Sequence, residues 1–176
     1  MKRLAICSVL ISLALVGVAF GQGTKQLEIQ RVVIVPASIG LPVIVDQPDC
    51  PLQIEEPRLF KSISGGGGGE SYKVRHKGTK PIRSYTIATW NTAGTGWEVE
   101  KLVKGNLVPG QVATLVGNEV EFVDLTEGLR DQLELNGEMQ AIVMFMVLRV
   151  EYVDGSIYDG KPLYEALKRH LDKISQ

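Results

Sequence analysis

The sequence predicts a mainly β chain, folded as an antiparallel β-sandwich with a short inserted helix and an amphipathic helix at the C-terminal end. Three observations predict it. From about Leu52 onward, short runs of alternating apolar and polar residues recur between Gly, Pro and Asn turn signals, which suits a sandwich and not a βαβ series. Ala141 to Leu148 is apolar at every position, as in a central strand buried on both faces. Residues 162–176 carry their apolar residues at helical spacing instead.

The N-terminal segment reads as a secretory signal. Lys2 and Arg3 precede an apolar run from Leu4 to Phe20, broken only by Ser8, Ser12 and Gly17, and Ala19-Phe20-Gly21 follows. A positive start, an apolar stretch and a small-x-small site are the parts a signal peptidase reads. Residues 1–21 are the expected signal peptide, cut before Gln22, with a cut before Phe20 as the alternative. The run falls just short of the roughly 20 residues that span a bilayer, so an uncleaved N-terminal anchor is the rival reading. The expected location is periplasmic or extracellular, with no membrane span once the signal is removed.

Cleavage leaves 155 of the 176 residues, enough for one well-buried domain. Loss of Lys2 and Arg3 takes the basic count from 19 to 17 against 20 acidic residues, a net charge near −3. That balance gives no case for nucleic-acid binding. Cys7 leaves with the signal, so Cys50 remains alone and no internal disulfide can form. Cys50 is read either as a reactive or intermolecular thiol or as a small buried apolar residue. Its neighbours Asp49 and Pro51 supply no cation that would lower its pKa.

Gln26 to Val35 reads as a strand, with Leu27, Ile29, Val33 and Val35 on one face. A proline-rich stretch follows: Pro36, Pro42, Pro48, Pro51 and Pro57 are five of the eight prolines. Proline lacks a backbone donor, so residues 22–51 are expected to form an extended arm, with Val43 to Val45 as a short strand. The sandwich domain is expected over residues 52–161. Its strands are Leu52–Ile63, Glu70–Lys77, Pro81–Asn91, Gly96–Val103, Gln111–Val116 and Asn118–Asp124, separated by turn-forming glycines. Thr126 can cap a short helix ending near Leu135, in which Leu129 and Leu133 share a face. Glu138 to Val153 is the longest strand, and Asp154-Gly155 turns it back into Ser156–Tyr158. In the last helix Pro162 suits the first turn. Leu163, Ala166, Leu167, His170, Leu171 and Ile174 form its apolar stripe, expected to dock on the same domain.

The segment from Tyr72 to Ile82, with its Gly-containing turn and Pro-Ile pair, and the late Val150–Gly155 hairpin resemble secreted bacterial immunoglobulin-like or fibronectin-III-like modules. The resemblance covers roughly residues 52–160 and implies an immunoglobulin-like sandwich. The Cys…Trp…Cys pattern of antibody domains is missing, and the resemblance implies no activity.

Chemistry-bearing patterns are sparse. Gly65–Gly69 lacks the Lys-Ser/Thr pair of a phosphate loop and runs into a strand, so it reads as a hairpin loop. His76 and His170 have no partner at metal-ligand spacing, and Asp154–Gly160 lacks the oxygen spacing and distal Glu of a calcium loop. No metal or cofactor is expected. No nucleophile motif occurs and no catalytic residue is assigned. The pairs Glu98/Glu100 and Glu119/Glu121 could serve a glycosidase only if buried, and they read as solvated strand faces.

Lys73, Arg75 and Lys77 alternate along one strand and project from one face, and Lys80 and Arg83 follow. Five cations in that stretch could hold an envelope or extracellular protein or an anionic surface. Equally, such charges keep a sheet edge from pairing with another chain. Trp90 and Trp97 flank a turn and could stack on a sugar ring, or fill the core. The leading expectation is an exported, non-enzymatic binding or assembly module using Lys73, Arg75, Lys77, Lys80 and Arg83. Carbohydrate binding through Trp90 and Trp97 is the alternative, and a hydrolase using Glu98 or Glu119 ranks below both.

Overall fold

In chain order the elements are β1 (Gln30–Ile34), β2 (Gly40–Ile44), β3 (Leu52–Ser62), β4 (Gly68–His76), β5 (Ile82–Asn91), β6 (Gly96–Leu107), β7 (Val112–Thr114), β8 (Val120–Val123), α1 (Glu127–Gln132), β9 (Ala141–Tyr152), β10 (Ile157–Asp159) and α2 (Lys161–Ile174). They come from a computed structural model that describes residues 29–65, 67–93, 96–114 and 120–174. The expected signal segment, Leu27 of the first strand, Val116 and Asn118 lie outside those residues.

The strands form two sheets, ordered β7-β4-β3-β1-β8 and β10-β9-β5-β6, with β2 also on β9. The mainly β sandwich and both helices match the sequence-based expectation. Most pairs are antiparallel, but β1–β8 and β2–β9 are parallel. Both parallel pairs involve strands of the expected N-terminal arm, residues 22–51. After β1, Ile39 and Gly40 donate their N–H groups to the Pro36 carbonyl. That turn carries the chain from one sheet into the other, so residues 30–44 supply a strand to each.

The core lies between the sheets. Leu52, Ile54, Tyr72 and Val74 from one meet Ile82, Tyr85, Ile87, Phe145, Val147 and Val150 from the other. Tyr72 and Phe145 pack edge to face across the gap, with ring centroids 5.3 Å apart. Val147 and Val150 both face inward because a register shift against β5, between Thr86 and Ile87, absorbs Leu148.

The outer face of β9 is covered by α2. Met146 and Ala88 are buried beneath Tyr164, with Leu167 and Leu148 packed around them. The helix therefore docks on its own domain, but not through the whole expected stripe: Leu163, Ala166 and His170 are exposed. Tyr164 and Leu167 are the helix residues that pack on the sheet instead. Helix α1 begins as expected, with Thr126 Oγ1 accepting from the Leu129 N–H at 3.3 Å. Its Leu129 and Leu133 pack with Val33 and Ile39.

The glycine run is only partly loop. Gly65 and Gly67 hold positive φ values of 85° and 86°, which L-residues with side chains rarely adopt. Gly69 instead lies in β4 opposite Phe60. A Cβ there would sit 2.7 Å from the Phe60 ring, so Gly69 leaves room for that ring to lie over the strand.

One edge of β9 is shared. Its first half pairs with β2 up to Ile44↔Phe145, and its second half pairs with β10 from Asp159↔Arg149. Between them the Gln47 side chain acts as the missing rung. The Val147 N–H donates to Gln47 Oε1 at 2.7 Å, and Gln47 Nε2 donates to the Val147 carbonyl at 2.9 Å and to the Tyr158 hydroxyl at 3.1 Å. Next to this rung, the Gly160 N–H reaches the Leu148 carbonyl at 2.9 Å, and a Cβ on Gly160 would overlap the Val147 carbonyl oxygen.

Gln47→Ala strands a buried N–H and a buried C=O, each worth about 1–3 kcal/mol when left unpaired. Urea denaturation should show a loss of about 2–4 kcal/mol. Gln47→Glu should rescue little, because a carboxylate accepts from Val147 but cannot donate to it. Equal midpoints for wild type and Gln47→Ala would contradict this role.

Candidate functional site

Alternation along β4 sends Tyr72, Val74 and His76 inward, where all are buried, and leaves Lys73, Arg75 and Lys77 outside. The adjacent strand answers with carboxylates. In β3 the register shifts between Glu55 and Arg58, where Glu56 has a φ of 49° and Pro57 follows. The bulge sets two successive acids, Glu55 and Glu56, toward the cations of β4. Arg75 grips Glu55 with two hydrogen bonds, Nε at 2.7 Å and Nη2 at 3.1 Å. Lys73 Nζ lies 2.7 Å from Glu56 Oε1. The Arg75 guanidinium holds the Glu55 carboxyl below its usual range, and Glu55 in turn raises Arg75.

Lys80 and Arg83 lie elsewhere. Lys80 Nζ bonds Asp154 Oδ2 at 2.8 Å and Ser156 Oγ at 3.3 Å, and it stands over the Tyr152 ring. Lys80 and Ser156 together hold the Asp154 carboxyl far below its ordinary range. Arg83 belongs to β5, in the second sheet, and binds Glu151 at 3.1 Å and the Val153 carbonyl at 2.9 Å. The five cations are thus divided: Lys73, Arg75 and Lys77 line the outside of one sheet, Lys80 sits at the loop end, and Arg83 faces out from the other. Four carry carboxylate partners. Lys77 has none within 4.0 Å among the described residues.

Lys77 stands at the rim of a cleft of about 680 Å³ where three connections meet: β2–β3, β4–β5 and the β9–β10 turn. It is also lined by Cys50 and Tyr152, by apolar surface of Pro48, Pro51 and Ile157, and by the exposed Asp49. The loops are tied to the core. His76, 1% exposed, donates through Nε2 to the Lys80 carbonyl at 2.7 Å and accepts the Gly78 N–H on Nδ1 at 3.0 Å. Those two bonds fix its tautomer and shape the turn. The Lys77 and Gly78 N–H groups also reach the Pro51 carbonyl, at 2.8 and 3.3 Å. A Cβ on Gly78 would sit 2.9 Å from the His76 ring.

Beneath the cleft, Cys50 is 3% exposed, and its Sγ accepts from the Leu52 N–H at 3.4 Å. Burial pushes its thiol up, more than the Leu52 N–H and Tyr158 lower it. A raised pKa disfavours the thiolate, and Cys50 packs in the main core cluster. Burial also pushes Tyr158 up to about 12, with Cys50 and Asp49 adding to the shift.

Trp90 pairs in register with Trp97 across β5 and β6, and Trp90 is half-buried. The side chains of Trp97, Glu98 and Glu100, and Glu119 entirely, lie outside the described residues. Glu121 forms an exposed ion pair with Arg31 at 3.6 Å. Asp154 and Asp159 bond Lys80, Ser156 and the Lys161 N–H. Among the described residues no three His, Cys, Asp or Glu side chains group closely enough to hold a metal ion. Sequence reasoning found the cations but missed the cleft. Its signal was the turn-rich Pro48-Asp49-Cys50-Pro51 and Lys77-Gly78-Thr79-Lys80 segments, which a sandwich gathers at one end.

No family model, curated protein or solved structure matches this chain. The site is therefore read from its own geometry.

Alkaline titration tests the environment under the cleft. Burial favours the neutral phenol of Tyr158, so its stabilising contribution is complete below the ordinary tyrosine pKa. It is lost as pH climbs toward about 12. Phenolate absorbance should show late-titrating tyrosines in the native protein, because burial also raises Tyr85 and Tyr152, and Tyr158→Phe should remove one of them. Uniform titration near the ordinary tyrosine value would contradict the burial.

Proposed function

We propose that this protein is an exported, non-enzymatic binding or assembly module of the cell envelope or extracellular space, with its contact surface at the loop end of the sandwich. The observation that carries the reading is Lys77, a cation with no carboxylate partner among the described residues, at the mouth of a cleft of ligand size. Lys73 and Arg75 extend the basic line behind it, and Lys80 borders the cleft on its other side. Glu55, Glu56 and Asp154 screen those three, so an acidic partner must exchange existing ion pairs to reach them, whereas Lys77 is available without exchange. Exposed ion pairs of this kind contribute about 0–1 kcal/mol each, so such exchange is thermally accessible. Export rests on the Lys2-Arg3 start, the apolar run and the Ala19-Phe20-Gly21 site. Among the described residues no helix is long and apolar enough to cross a membrane.

Crosslinking and mass spectrometry in intact cells test this reading. Lys77→Glu should lose a partner that wild type captures, while its unfolding free energy changes by no more than about 0.5 kcal/mol. Lys73→Glu should retain more of the capture, because Lys73 is already neutralised. Capture by Lys77→Glu equal to wild type would overturn the assignment of the contact surface.

The register pairing of Trp90 with Trp97 favours carbohydrate binding as a second reading. It predicts tryptophan fluorescence that responds to a glycan panel and is insensitive to salt, since stacking carries no counter-ion term. Unchanged spectra across the panel would remove it.

A further inference from the structure

The loop-end cleft carries a second unpartnered charge, and of the opposite sign. Asp49 is exposed on the rim and, like Lys77, stands within 4.0 Å of no opposite charge among the described residues. Asp49 and Lys77 border the same cleft and do not pair with each other. The same cleft also offers apolar surface from Pro51, Tyr152 and Ile157, the last 49% exposed. A purely anionic ligand drawn to Lys77 would face Asp49, and a purely cationic one drawn to Asp49 would face Lys77. Each charge therefore discriminates against the ligand that the other attracts. A molecule carrying both charges, with an apolar body between or beside them, satisfies both.

We propose that this cleft takes a short peptide as a zwitterion, its terminal carboxylate on Lys77, its terminal ammonium on Asp49 and its apolar side chain against Tyr152 and Ile157. The proposal rests on the binding-module reading and names the ligand class for the same surface. The cleft volume of about 680 Å³ falls in the range of small-ligand sites, about 300–1,000 Å³. Its β4–β5 wall is held by the bonds of the buried His76 to Gly78 and Lys80, so little ordering of that wall is needed on binding.

The test is an amide-shift titration of the purified protein with the dipeptide Ala-Leu, its N-acetyl form and its C-terminal amide. Ala-Leu should move the amides of Cys50, Gly78 and Ser156, and either blocked form should bind at least about tenfold more weakly, a loss of about 1.4 kcal/mol. Lys77→Gln should bind Ala-Leu and its amide alike, and Asp49→Asn should bind Ala-Leu and its N-acetyl form alike. Dispersed spectra of both variants would show that they remain folded. No shift up to about 10 mM, or equal binding of free and blocked peptides, would overturn the proposal. If the peptides fail while Lys77→Glu still loses a partner in cells, the ligand class falls and the binding-module reading stands. If both fail, the reading falls with it.

Discussion

The backbone of Val147, in the middle of the strand that joins the core to the outer helix, is held by a side chain. Without the Gln47 amide, β9 would present an unpaired N–H and C=O between the end of β2 and the start of β10. Buried backbone groups are nearly always paired, so the two-strand edge depends on that amide. Other features follow from it. Gln47 also bonds Tyr158, whose hydroxyl lies against Cys50. It fixes the start of the Pro48–Pro51 connection, which forms one wall of the cleft. On the outer face the same stretch of β9 supports Tyr164 through Met146. One polar side chain thus couples the N-terminal arm, the central strand and the loop end.

The loop end is built in a similar way. His76 is a buried imidazole with backbone partners on both nitrogens, and it holds the β4–β5 turn as Gln47 holds β9. Lys80 then ties that turn to the β9–β10 turn through Asp154 and Ser156. These bonds engage His76, Lys80, Asp154 and Ser156 with one another and with the turn backbone, and leave Lys77 and Asp49 without an opposite charge within 4.0 Å among the described residues. A charge left unpaired on a preformed concave surface is available to a ligand at little reorganisation cost, which separates Lys77 from the screened cations beside it.

Much of the fold was legible because its signals are local. Alternation in β4 placed Tyr72, Val74 and His76 inward, the Thr126 cap located α1, and the unbroken apolar run marked β9. What was not legible depends on contacts distant in sequence. The parallel pairings of β1 and β2 arise from where the arm crosses between sheets, which periodicity does not encode. The bulge at Glu56 brings two acids onto the basic line, and alternation alone would have placed successive acids on opposite faces. Which residues of α2 meet the sheet depends on Ala88, Met146 and Leu148, which sit on other elements. The cleft was invisible because its rim residues come from three separate turns, each ordinary by itself.

Side chains fix the Val147 and Gly78 amides to the core, so that the cleft is preformed. Native-state hydrogen exchange, resolved residue by residue, tests this most directly. Both amides should exchange as slowly as Phe145 in the centre of β9, through opening of the whole domain. Exchange of either amide at the rate of the exposed turn residue Gly155 would contradict it.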